Sequence, residues 1–325
     1  MRYTPEGFLL HSPANIAALG SVEALAAAAR AGTICEAVTV RCDTEHRLYV
    51  FLPTAPALPA LAGVIEREEG ALGIAEGTVR DIALLSRVGK PVCFTVLGIE
   101  DGMARLSRRA AQARCMDEYV RRLHPGDIIP ARVTRLEPFG AFCDIGCGLP
   151  ALLPIAALSV SRISHPRDRL APGQDIFAVV SPLSQMQEGR VFLSLRELLG
   201  TWEENAAAFR AGETVTGVVR SLESYGVFIE LAPNLAGLAE ATDGVRVGQT
   251  VTVCIKSLQP EKMKIKLAIL DAGDMSGVGG NEGGTDSKPA PLPYTATGGH
   301  IERWRYSPEG CARVINSEFE MQNAE

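Results

Sequence analysis

The sequence predicts a mostly β protein: tandem five-stranded barrels joined by short helices, with a flexible C-terminal tail. Three observations predict it. The phrase LEPFGAFCDIG at 136–146 returns at 222–232 as LESYGVFIELA. Around each copy lie five short runs of alternating apolar and polar residues, rich in Val, Ile and Phe, which is strand periodicity. Gly, Pro, Asn and Asp punctuate the gaps, and five short strands close their edges best by curling into a barrel of roughly 70 residues.

In chain order, residues 1–30 read as an arm and a helix, and Pro5, His11 and Pro13 leave no secretory leader to expect. Residues 31–115 read as a degenerate barrel. There AGTICEAVTV opens like AGETVTGVV of the last unit, and ARLSRR resembles VFLSLR, at the period of an array of like units. Its counterpart of the repeated phrase, CDTEHRLYVFL, lacks the aromatic-Gly-x-Phe, and REEGALGIAEGTVRDIALLS is inserted. Residues 124–197 and 211–270 are the two clear barrels. The joint TWEENAAAFRAG has Thr201 three residues before Glu204, a capping-box spacing, and ends in Gly212; Trp202 and Phe209 are expected to pack on a barrel. RRAAQARCMDEYVRRLHPG is the matching joint before the second unit. From residue 271 to 325 the chain reads as a flexible acidic tail. Within it, Trp304 and Tyr306 form either a docking element or a strap on the chain's own barrel.

The chain has 325 residues, 46% of them hydrophobic, which supports real cores. No apolar run approaches the ~18 residues of a membrane span, so no membrane partner is expected. Eight cysteines without a CxxC read as reduced, buried thiols of a cytoplasmic protein rather than a zinc site, so neither metal nor cofactor is expected. The net charge of −6 is unlike that of a phosphate binder, but from residue 271 onward four Lys and Arg face nine Asp and Glu. The body is therefore close to neutral, which permits nucleic-acid binding but not affinity dominated by phosphate charge.

Residues 124–197 and 211–269 resemble the S-one RNA-binding domain, the repeat of the bacterial ribosomal protein S-one. The resemblance rests on the ordered set GD, FGAF, DIG, PI, LS, GQ and GR–LSL, seen twice in tandem. It implies an OB-type five-stranded barrel whose exposed sheet face binds single-stranded RNA without chemistry. Position by position, the family's histidine falls on Pro154 and Ala239, and its acidic residue on Met186 and Leu258, all departures. Its basic residue is kept as Arg190 and Lys262. The residues themselves supply a mechanism. A glycine between strand positions i and i+3 allows a kink that brings both side chains to one face. Phe139 with Phe142, and Tyr225 with Phe228, then form two-ring platforms on which bases stack for roughly 1–3 kcal/mol each. The loop SRISHPRDRL adds Arg162, His165, Arg167 and Arg169, either as phosphate partners or as a solvated loop paired to Asp168.

No P-loop, dinucleotide fingerprint or nucleophile elbow is present. Glu66, Glu68 and Glu69 read as solvated surface, and His46 beside Asp43 and Glu45 as an ordinary turn, so no catalytic residue is expected. Two readings remain. The first is a non-catalytic protein that binds single-stranded RNA, mRNA above all, in translation or mRNA handling, with the ribosome as a further partner. The second is an adaptor that docks on a ribosome, polymerase or RNA-degradation complex. Exposed ring pairs favour the first.

Overall fold

The computed structural model describes residues 3–52, 61–100, 102–271 and 291–319. After an extended arm come α1 (Pro13–Leu19) and α2 (Val22–Ala31). Each starts where a serine hydroxyl, of Ser12 and Ser21, accepts a first-turn backbone N–H.

Three closed barrels follow. The first is built from β1 (Ile34–Cys42), β2 (Leu48–Leu52), β3 (Leu61–Ile65), β4 (Pro91–Glu100) and β5 (Met103–Ser107). The insert between β3 and β4 folds back onto it. Ala71, Ile74 and Leu84 are buried, while Ile82 and Leu85 of α3 (Ile82–Leu85) stay exposed. The joint α4 (Arg108–Glu118), capped by Ser107, buries Ala111 and Cys115 against the next core. The second barrel is β6 (Ile128–Glu137), β7 (Gly140–Asp144), β8 (Pro150–Pro154), β9 (Asp175–Val180) and β10 (Val191–Ser194). After α5 (Trp202–Ala206), the third is β11 (Thr214–Glu223), β12 (Gly226–Ala232), β13 (Leu235–Ala239), β14 (Thr250–Gln259) and β15 (Lys264–Asp271).

All three share one topology. The strand order is first, second, third, fifth, fourth, and the first and fourth strands pair to close the ring. The third and fifth strands run parallel and all other pairs antiparallel, which makes these OB-type barrels. The first strand of each is bulged at the same place, between Thr39 and Arg41, Val133 and Arg135, and Val219 and Ser221. A bulge adds the local twist that a small closed sheet needs.

The predicted capping box is present: Thr201 Oγ1 accepts from Glu204 N at 3.2 Å, and Thr201 N donates to Glu204 Oε2 at 2.7 Å. The helix it starts ends at Ala206, however, and not at Gly212, which instead takes a left-handed turn (φ +89°) into β11. Trp202 is buried and Phe209 half-buried in the third core, as expected.

Buried polar contacts join neighbouring units. Between barrels one and two, Glu6 N donates to Asp144 at 2.7 Å, and the Glu6 carboxylate takes Arg108 Nε at 2.7 Å and Cys93 N at 3.1 Å. Burial, with the Glu6 carboxylate nearby, pushes the Asp144 carboxyl up to about 7. Between barrels two and three, Asn234 Oδ1 accepts from Val160 N at 2.8 Å, while its Nδ2 donates to Arg196 O at 2.8 Å and Gly200 O at 2.9 Å.

The C-terminal region departs from the expected flexible tail. Residues 272–290, much of the expected flexible tail, lie outside the described residues. Residues 291–319 are folded against the barrels. Tyr294 meets Phe177 edge-on at 5.9 Å, and Ile301 N donates to Gly126 O at 2.9 Å. A hairpin of β16 (Arg303–Arg305) and β17 (Asn316–Glu318) then buries Trp304 and Tyr306 in the third core. Of the two alternatives, the strap is the one seen, because two aromatic side chains gain roughly 2–3 kcal/mol each by leaving water.

The eight cysteines are free thiols, and the described residues hold no cluster of three or more His, Cys, Asp or Glu able to take a metal. Among the described residues no helix is long and apolar enough to cross a membrane.

Candidate nucleic-acid interface

Each residue type of the repeated phrase has a separate job. Phe139 and Tyr225 sit in two-residue turns between the first and second strands. They are 54% and 65% exposed. Gly140 and Gly226 follow because a Cβ there would lie 2.4 Å from the carbonyl oxygen of Leu153 or Ala239 on the neighbouring strand. Phe142 and Phe228 come two residues later, half-buried on the outward face of the second strand. The rings meet edge to face, at 6.0 Å and 89° in one barrel and 6.2 Å and 89° in the other. The pairs are thus brought together as expected, but by a tight hairpin rather than a kinked strand, and they are perpendicular rather than one flat platform.

The acidic residue that closes the phrase is structural in both copies. Asp144 accepts backbone N–H groups from Glu6, Gly146 and Gly148 at 2.7, 2.8 and 3.0 Å. Glu230 is held by Arg169 Nη1 at 2.6 Å and Arg220 Nε at 3.0 Å. Arg169 is therefore turned inward, 5% exposed, and is not a surface cation as the loop sequence implied. A carboxylate from the next barrel compensates its buried charge and draws it in.

The other predicted cations divide. Arg162 and Arg167 are exposed. His165 Nδ1 accepts from Arg167 N at 3.1 Å, so the ring caps its own turn. Asp168 does not pair with the loop arginines: it completes that cap and lies 3.8 Å from Arg220. Arg190 is exposed beside Glu188 at 3.2 Å. Lys262 is exposed in a single 3-10 turn, but strand register moves the basic position. Phe142 pairs with Leu152 and Leu152 with Phe192, while Phe228 pairs with Leu238 and Leu238 with Lys266. Two residues earlier in sequence stand Arg190, just before β10, and Lys264, the first residue of β15, so Lys264 and not Lys262 matches Arg190.

This register also exposes what sequence reasoning missed. Phe192 adds a third ring to the row of Phe142 and Leu152, and Lys264 with Lys266 adds two exposed cations beside Phe228. The signal was present in GRVFLSL, where Val191 and Leu193 point inward and Phe192 between them points out.

The first barrel holds Tyr49 at the register position of Phe142, across from Arg41. A ring therefore does survive there, although the counterpart CDTEHRLYVFL lacks the aromatic-Gly-x-Phe. Its face is covered by the Arg41 guanidinium, 4.1 Å from the ring centroid. Arg105, at the position of Phe192, is paired with Glu66 and Glu100. A longer loop replaces the two-residue turn that carries Phe139.

Residues 122–196 match the family model of the S1 RNA binding domain. On that ground the second barrel carries an S1 domain. A small ribosomal subunit protein bS1 homolog of Bacillus subtilis is 32% identical over 145 residues, 42% of this chain and 37% of its own length. Small ribosomal subunit protein bS1 of Leuconostoc lactis is 30% identical over 160 residues, 47% of this chain and 36% of that protein. The chain thus spans little more than a third of the length of the curated relatives it matches. Among solved structures, a multidomain protein with nucleic acid binding domains from Streptococcus pneumoniae aligns over 74% of each chain, at 14% identity and a TM-score of 0.24, too low to carry any argument.

Proposed function

We propose that the chain is a non-catalytic, cytoplasmic protein that binds single-stranded RNA through the outward faces of its second and third barrels, in translation or mRNA handling. The observation that carries the reading is the ring pair, repeated on two barrels with the same separation and angle and with one ring of each pair more than half exposed. Unstacked bases lie on such rings, which favours single strands over duplex. Exposed Arg167, Arg190, Lys262 and Lys264 supply the phosphate partners along those faces. The match to an RNA-binding family and the likeness to ribosomal proteins support mRNA as ligand and the ribosome as a further partner.

The first barrel is read differently. Arg41 over Tyr49 and the carboxylates on Arg105 occupy its counterpart face, while Phe51, Val40 and Leu97 are exposed. That combination favours a docking or spacing role, the one part of the adaptor reading that an observation supports.

The test is a fluorescence titration of the whole chain with a labelled single-stranded RNA, using duplex RNA as control. Replacing Phe139 and Phe142 by Ala is expected to weaken binding by about 1–3 kcal/mol per lost stack. Unchanged binding by that variant sinks the ring-pair reading.

A further inference from the structure

Between the second and third barrels lies a cleft of about 610 Å³ that the repeated phrase does not predict. One wall is the loop containing Ser161 and Arg162, and the other is the third barrel at Phe228 and Asn234. The C-terminal hairpin closes one side with Tyr306 and Arg313. Its volume falls within the roughly 300–1,000 Å³ usual for small-molecule sites, room enough for a nucleotide.

The polar groups in this cleft are of one kind. Two arginines line it and no carboxylate does, so its lining is positive. Neither Arg162 nor Arg313 makes a hydrogen bond or ion pair with the described residues, although both are exposed. That contrasts with Arg169 seven residues on, which is fully engaged with Glu230. The Ser161 hydroxyl is buried, with the residue only 7% exposed, and has no hydrogen-bond partner. A buried hydroxyl without a partner costs free energy unless a ligand or water supplies one. Phe228 belongs both to the cleft and to the exposed ring pair with Tyr225, so the two surfaces are continuous.

We propose that this cleft is a second nucleic-acid subsite, which takes the next nucleotide of a single strand stacked on Tyr225 and Phe228. Arg162 and Arg313 hold its phosphates, and the Ser161 hydroxyl donates to a phosphate or sugar oxygen. The C-terminal hairpin is then part of the binding surface and not merely a brace. The inference rests on the proposed RNA binding and assigns it a path.

The experiment compares short and long homopolymeric single-stranded RNAs on the whole chain, by anisotropy over a range of salt. A variant carrying R162Q and R313Q is set beside R246Q, an exposed arginine of the third barrel outside the cleft. Wild type is expected to gain affinity with RNA length. The double variant loses about tenfold on the long RNA, changes little on the short one, and has a log–log salt slope shallower by about 1.4, two phosphates at roughly 0.7 each. R246Q keeps the wild-type values. S161A is expected to lower long-RNA affinity without changing the slope. Wild-type affinity and slope in the double variant overturn the cleft while leaving the ring pairs standing. Absence of RNA binding by the unmodified chain overturns both.

Discussion

The first and third barrels have the same strand order and the same bulge, yet equivalent positions end in opposite states. Tyr49 and Phe228 share a register position, and one lies under its own arginine while the other is half-open to solvent. Two residues on, Phe51 is exposed where Glu230 is buried between two arginines. A closed five-stranded sheet therefore dictates where outward side chains point but not what meets them. Function resides in the neighbours: the turn, the fifth strand and the adjoining unit.

The comparison is broken most severely at the acidic position. Glu230→Ala leaves Arg169 buried without its carboxylate and is expected to destabilise the third barrel by about 3–5 kcal/mol. Phe51→Ala, at the same position on an exposed face, should cost less than about 1 kcal/mol. Denaturation followed by tryptophan fluorescence reads the difference, since Trp202 and Trp304 both lie in the third core. Equal midpoints for the two variants would remove the distinction.

A second test lies at the junction of the first two barrels. The Asp144 carboxyl, at about 7, lies above the ordinary value of 3.8, chiefly through burial. The folded state therefore holds that proton more tightly than the unfolded chain. The stabilisation is fully present below about pH 4 and is lost as pH rises through about 7. Thermal melts across that window should show Tm falling with pH, and Asp144→Asn should flatten the trend even as it weakens the contact with Glu6. A slope unchanged by the substitution would place the titration elsewhere.

Smaller again are the binding effects. Tyr225→Ala or Phe228→Ala should weaken single-stranded RNA binding by about 1–3 kcal/mol, and Tyr49→Ala should leave it unchanged. An equal loss at Tyr49 would mean that the first barrel binds too. The smallest effect is on salt. Four to five phosphate contacts predict a log–log slope of about −3 to −3.5, and a slope steeper than about −6 would reveal a basic surface beyond the cations named.

The barrels were legible because period-two alternation and a repeated phrase survive in one dimension. The capping box at Thr201 was legible for the same reason, being local. What depended on pairing was not. Phe192 and Lys264 become neighbours of Phe142 and Phe228 only through the parallel third and fifth strands, which no short motif marks. Arg169 looks like Arg162 and Arg167 in sequence, and only a carboxylate 61 positions away turns it inward. Tyr49 was hidden by a hairpin loop longer than its counterparts, which slid the phrase out of alignment. The burial of Trp304 and Tyr306 required knowing that the third core had a place left open for them.

Asn234 joins a loop of the second barrel, the linker carbonyls of Arg196 and Gly200, and, through its own carbonyl, the hydroxyl of Tyr306. For a strand already held by one face, the other face is thus presented at a fixed distance, with no flexible linker to dilute its effective concentration. The gain would appear in residence time. A strand released by one barrel is recaptured before it leaves the other, so loosening Asn234 should shorten the lifetime of a bound RNA even with both ring pairs left intact.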